Sequence, residues 1–283
     1  MLIATVPQTK LHLQSLWSMI QCMSVGYNHV VVAAPLAARS VIESTQKLAV
    51  HEGLHPNLDF IFVRNNNRYD VGLWCEALEY AGSANYKYIT LVNDSIMVLR
   101  HSRVVLDKLE THHYDLVGMS YSHTGGSFWI ESYIRGFSQK GIAIFEEHSC
   151  GVPPSHPSFA TKRSVVDYHE IGMVNTYFSD TKQDGKLLAT GLYPGDLPED
   201  WVGRGDSNRT WVATVNLPYW KRALLKGHLF PIAKLKMPQM ISWSTKHYHD
   251  CKVKQIPQHM AFVDDDERTW SWKQVFAATT VGD

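Results

Sequence analysis

Tyr88-Ile89-Thr90-Leu91-Val92-Asn93-Asp94-Ser95 is the stretch on which the reading of this chain turns. From Tyr88 to Val92 it is aromatic, aliphatic or β-branched, with no glycine or proline. Such a run, with little polar alternation, fits a strand covered on both faces, as in a parallel sheet. It then stops on an amide, a carboxylate and a hydroxyl. In open α/β sheets ligands collect at the C-terminal ends of the strands, so polar residues here carry more weight than the same tripeptide elsewhere. Taken alone, Asn-Asp-Ser has the composition of a turn or a helix cap.

Working outward, the residues before this strand (Tyr86 to Val92) alternate between two periods. Leu2 to Val6, His29 to Ala34 and Asp59 to Val63 read as strands. Between them, Leu13, Leu16, Trp17 and Ile20, then Val41, Ile42, Thr45, Leu48 and Ala49, then Val71, Trp74, Cys75 and Leu78 recur at helical spacing. Leu116 to Met119 reads as a fifth strand. The expected fold is therefore α/β: a mostly parallel sheet with helices on both faces, joined by right-handed crossovers. The second half is less regular. Gly125-Gly126, Gly151 to Pro157 and Gly191 to Gly205 read as loops, and helices are expected near 164–179 and 216–227. No linker separates the halves. We expect one domain over 1–283, with 1–120 as the ligand-binding half and 121–283 as a second half with a C-terminal elaboration.

Among the 283 residues, Lys plus Arg and Asp plus Glu balance at 27 each, so no global field favours nucleic acid or an anionic surface. A hydrophobic share of 45% is enough for a sizeable core. No apolar stretch approaches the roughly 20 residues of a membrane span, and Met1 to Pro7 lacks the pattern of a signal peptide. The expected location is cytoplasmic. The four cysteines form no C-x-x-C pair, so neither a zinc ribbon nor a redox motif is signalled. Cys75 reads as a small packed hydrophobe, and no oxidising compartment is required. Asn93-Asp94-Ser95 and Asn208-Arg209-Thr210 match the N-glycosylation pattern, matches read as coincidental in a chain without an export signal.

Four segments carry candidate chemistry. Asp94 ends an apolar strand, where one carboxylate with phosphate oxygens and water suits Mg²⁺ or Mn²⁺. Arg64 to Gly72 follows the third strand and opens a helix. There Asn66 and Asp70 can meet a base or ribose and Arg64 or Arg68 a phosphate, or Asp70 can simply cap the helix. Glu170 and Asp167, on the helix expected near 164–179, are candidate general bases. His247 and His249, two apart, share one side of an extended segment and are candidate metal ligands.

Together these segments resemble the rhamnan synthesis protein F family of glycosyltransferases. Asn66 to Trp74 looks like its Asn-x-Gly-x-Asp segment and Ile89 to Ser95 like its strand ending in Asn-Asp-Ser. Tyr114 to Met119 with Trp129 to Phe137 looks like its Asp-x-x-Gly and Gln-Ser-Tyr-Phe segments, and Trp220 with Leu224 to Lys234 like its Leu-x-x-x-Gly-x-Pro-Phe-x-Lys stretch. The likeness spans about residues 60 to 236. It implies a GT-A-like, Rossmann-type fold and transfer of a deoxyhexose such as rhamnose from a nucleotide-diphospho-sugar to a polysaccharide. By that likeness Asp94 is the metal-side carboxylate, supported by Asn93 and Ser95. Asn66, Arg68 and Asp70, with Thr5 and Val6 of the first strand's loop, sit by the nucleotide. Glu170 is the base, and Lys234 lies near the phosphates. Arg68 stands where the family has Gly and Glu131 where it has Gln, and the second carboxylate of an Asp-x-Asp motif is missing.

The expectation is an inverting glycosyltransferase that uses a divalent cation and a glycan acceptor, without nucleic acid or a transmembrane segment but compatible with peripheral membrane association. The rivals are a sugar nucleotidyltransferase, whose glycine-rich first loop Thr5 to Thr9 lacks, and a non-catalytic nucleotide- or glycan-binding module.

Overall fold

The computed structural model describes residues 1–7, 10–64, 66–98, 103–124, 127–194 and 219–221. Its centre is a sheet made of β1 (Leu2–Ala4), β2 (Val30–Pro35), β3 (Leu58–Val63), β4 (Tyr88–Asn93), β6 (Leu116–Thr124), β7 (Ser127–Ile130), β8 (Ile134–Ser138), β9 (Phe178–Ser179) and β10 (Leu187–Pro194). The order is β3-β2-β1-β4-β8-β6-β10-β9, with β7 on β6. β3, β2, β1 and β4 run parallel, and so do β6, β10 and β9. β8 lies between the two groups, antiparallel to β4 and β6. The fold is thus the α/β class expected, with a mostly parallel sheet. β5 (Ile96–Val98) leaves this sheet to pair with β11 (Tyr219–Lys221).

Alternation along the strands sorts side chains to two cores. Ile3, Val30, Val32, Val92 and Val117 pack under α1 (Lys10–Ser18), α2 (Arg39–His51) and α4 (Val104–His112). Leu2, Ala4, Val31, Ala33, Leu91 and Leu116 pack under α3 (Tyr69–Ala81) and α5 (Gln139–Phe145). Covering both faces is what makes the strand sequences continuously apolar. Each fully buried aliphatic side chain is worth about 1.5–3 kcal/mol.

Several sequence expectations change. Residues 134–138 show no apolar run, because Arg135 and Gly136 interrupt it, yet they form β8. A Cβ on Gly136 would lie 2.5 Å from a methyl of Val105, so α4 packs on bare backbone there. The helix expected near 216–227 is corrected at Tyr219–Lys221, which is a strand. Three residues are too few to show a period, and pairing with β5 decides. The loop expected over Gly191 to Gly205 begins as β10, and its remainder lies outside the described residues, as does Gly125-Gly126. The helix near 164–179 is a composite: α6 (Lys162–Val165), a π-helical segment Val166–Gly172 and α7 (Met173–Tyr177).

Cys75 is not a free packed thiol. It is bonded to Cys150, with Cα atoms 5.4 Å apart across a separation of 75 residues. Among the described residues no cysteine is free. Such bonds persist most often in oxidising compartments, which the sequence alone does not require. No helix among the described residues is long and apolar enough to cross a membrane.

Candidate functional site

A cavity of about 650 Å³ opens at the C-terminal ends of β1 and β4, where the sheet's topology brings two strand ends together. Its floor is the turn from β4 to β5. The Asp94 Oδ2 accepts from the Thr5 hydroxyl at 3.0 Å and the Val6 amide at 2.9 Å, which ties that turn to the loop after β1. The Asn93 side-chain oxygen accepts from the amide and hydroxyl of Ser95, closing the turn. The Asn93 side-chain nitrogen donates to Asp70 at 2.9 Å. Asn93 and Asp94 are buried. Asn93-Asp94-Ser95 is therefore both a turn and part of the cavity wall.

The second wall is the start of α3. Tyr69 has φ 56°, the left-handed region that a bulky residue rarely adopts, and Tyr69 and Asp70 both line the cavity. The backbone strain sits where ligand contacts would be made. The Asn66 side chain donates to the Tyr69 carbonyl at 2.9 Å and accepts from the Arg68 amide at 3.2 Å. Gly72 is required here, since a Cβ would collide with that Asn66 amide oxygen. Asn66 thus shapes the loop and is not part of the lining. Arg68 points to Glu76, at 3.3 Å. The Trp74 indole donates to the Val92 carbonyl at 2.9 Å and pins α3 to β4.

The third wall comes from the turn before β8 and from the π-helical segment. Glu170 lines the cavity and accepts from the Ser132 amide at 3.1 Å. Asp167, three residues earlier, faces away and pairs with Arg163 at 2.8 Å. The structure therefore brings together Val6, Asp70, Asn93, Asp94, Ser95 and Glu170. Thr5 acts on Asp94 from behind, while Asn66, Arg68 and Asp167 stand apart. Lys234, His247 and His249 lie outside the described residues.

Sequence reasoning missed three groups. Glu131 lines the cavity. Arg135, 2% exposed, donates to the Glu131 carbonyl (3.4 Å), the His169 carbonyl (3.3 Å), the Glu170 carbonyl (3.4 Å) and the Ile130 carbonyl. One guanidinium fork thus holds both backbone segments that carry the cavity glutamates. Burial pulls Arg135 below its usual pKa, and Glu170 and Glu131 push it back up. His169, also buried, bridges the hydroxyls of Ser158 (2.9 Å) and Ser149 (3.1 Å) and stacks on Phe159. Burial first, and then the nearby charges of His148, His156, Arg135 and Arg68, push its pKa down to about 3. For Glu131 the available signal was its place in the segment Trp129 to Phe137; Arg135 and His169 gave none.

No protein-family model matches the sequence, and no curated protein matches it either. Solved structures similar to it include mouse xyloside xylosyltransferase 1, 10% identical over 68% of this chain and 84% of that one, with a TM-score of 0.37. A nucleoside-diphosphate-sugar pyrophosphorylase from Vibrio cholerae is 11% identical over 58% and 82%, with a TM-score of 0.38. A 4-diphosphocytidyl-2C-methyl-D-erythritol synthase from Anaerococcus prevotii is 8% identical over 67% and 86%, with a TM-score of 0.38. Likenesses of this depth assign no activity, and the resemblance to rhamnan synthesis protein F rests on the sequence segments alone.

Proposed function

We propose that this chain is a glycosyltransferase that moves a sugar from a nucleotide-diphosphate donor to a glycan hydroxyl, with inversion. The observation that carries this reading is the convergence of Asp70, Asp94 and Glu170 on one cavity at the C-terminal ends of β1 and β4. The donor enters over the Asn93–Ser95 turn and the start of α3. Glu170 takes the proton of the acceptor hydroxyl as its oxygen attacks the anomeric carbon, and the bond to the diphosphate breaks. Glu170 is preferred to Asp167, whose carboxylate is engaged with Arg163 away from the cavity. A deoxyhexose donor such as rhamnose follows from the sequence resemblance.

A divalent cation fits the donor set, because the carboxylates at the donor end are hard oxygen ligands. Among the described residues no group of three or more His, Cys, Asp or Glu is arranged to hold a metal. Asp94 and Asp70 would thus hold it together with the diphosphate and water. When bound, the cation would supply charge neutralisation to the leaving diphosphate.

The test is a thermal-shift screen of UDP-, dTDP- and GDP-sugars with and without Mn²⁺, followed by transfer assays on Glu170→Gln. A bound donor raises the melting temperature. Loss of a general base costs on the order of 10²–10⁴ in rate with donor binding unchanged. No shift with any donor, or a Glu170→Gln enzyme with wild-type transfer, refutes the reading. Nucleotidyl transfer is the second reading, and release of pyrophosphate from a nucleoside triphosphate and a sugar phosphate would favour it.

A further inference from the structure

The mechanism above leaves one cavity carboxylate unused. Glu131 stands on the same wall as Glu170, and its surroundings fix it at both main chain and side chain. Its amide donates to the Ser120 carbonyl at 3.1 Å, and its carbonyl accepts from Arg135. The Tyr133 hydroxyl donates to the Ser120 hydroxyl at 2.7 Å, and that hydroxyl donates to the Glu131 Oε2 at 2.9 Å. Tyr133 and Ser120 are buried. A serine hydroxyl has one proton. Receiving from Tyr133, it gives its own to Glu131, so the relay is directed towards the carboxylate oxygen, which accepts.

We propose that Glu131 is a substrate-binding residue which accepts a hydrogen bond from a hydroxyl of a neutral sugar ring. The inference rests on the reading of this cavity as a sugar-transfer site. A ligand that meets Glu131 must bring a donor, since a carboxylate oxygen accepts hydrogen bonds. Trp129 lines the cavity beside them and offers an aromatic face for the C–H side of a sugar ring. With the donor diphosphate placed over the Asn93–Ser95 turn, as proposed above, the Glu131 end is left for a sugar. The relay holds the carboxylate ready before the ligand arrives, which lowers the ordering cost of binding.

The experiment is a ligand-observed NMR titration of the full chain with the methyl glycosides of glucose, galactose, mannose, xylose and rhamnose. UDP, GDP and dTDP with Mn²⁺ are titrated separately. Wild type, Glu131→Gln and Tyr133→Phe are compared. At least one glycoside should bind. Glu131→Gln should weaken it about tenfold or more, and Tyr133→Phe by about threefold, as expected for loss of a charged and of a neutral hydrogen bond. Nucleotide binding should be unchanged. If Glu131→Gln does not fold, Tyr133→Phe, which loses one hydroxyl, carries the comparison. Wild-type glycoside affinity in the folded variants, or no glycoside bound at all, overturns the proposal. Glycoside binding lost in Glu131→Gln without any nucleotide binding would support this proposal while refuting the donor reading. Nucleotide binding with a glycoside response indifferent to position 131 would do the reverse.

Discussion

Replacing Arg135 by Met should be among the most damaging substitutions outside the hydrophobic core. Arg135 is 2% exposed and serves carbonyls at residues 130, 131, 169 and 170. Methionine fills much of the volume but donates nothing, so these acceptors lose their partner. A buried polar group left unsatisfied costs about 1–3 kcal/mol. Three of the bonds are long, 3.3–3.4 Å, which puts each near the lower end. The variant also regains the desolvation cost that Arg135 bears, while losing the positive charge beside Glu131 and Glu170. The net expectation is about 3–5 kcal/mol, the usual cost of removing one partner from a buried charged cluster. Arg135→Lys keeps the charge but not the planar fork and should fall between. Equilibrium urea unfolding followed by tryptophan fluorescence reads this as a fall in midpoint at unchanged slope. A loss below about 1 kcal/mol for Arg135→Met would refute the view that this guanidinium holds the two glutamate-bearing segments together.

Three further outcomes are expected. His169 is held neutral with a pKa of about 3 against an ordinary 6.5. Between those values the unfolded chain binds a proton that the folded chain does not. Stability should therefore fall as pH drops from about 6.5 towards 3, and more steeply than in His169→Gln, as measured by urea midpoints across that range. The Cys75–Cys150 bond closes 75 residues, so the double Ala variant should cost up to about 4.5 kcal/mol on the chain-entropy account. Melting of that variant against wild type checks it. Gly72→Ala should destabilise by about 1–3 kcal/mol through overpacking against Asn66 and weaken nucleotide binding by displacing Tyr69 and Asp70, which calorimetry of both properties tests.

Much of the architecture is legible because burial on both faces leaves a plain mark. Val30 to Ala34 is wholly buried, and only a continuous apolar run satisfies both cores. β8 carries no such mark because its second residue, Arg135, is a charge that finds its partners in the turn before the strand and in a segment distant in sequence. The same holds for the site. Asp94 and Asp70 can be read from their places at a strand end and a helix start. The choice between Glu170 and Asp167 cannot, since it turns on a π-helical segment and on Arg163 capturing the latter. Nor can Cys75 be paired with Cys150 from the sequence, for nothing local to either thiol names its partner.

The burial of Asn93 has a consequence for how the protein is made. Its side-chain nitrogen is the atom to which an N-linked glycan would be joined, and in the folded chain it donates to Asp70 from a residue 6% exposed. A sugar attached there first would stand where the cavity floor has to close. In a glycosylating host, folding and modification therefore race for the same atom. The mass of the peptide containing Asn93 would record a lost race: a glycan there means that the side chain was reached before β4 had paired with β1.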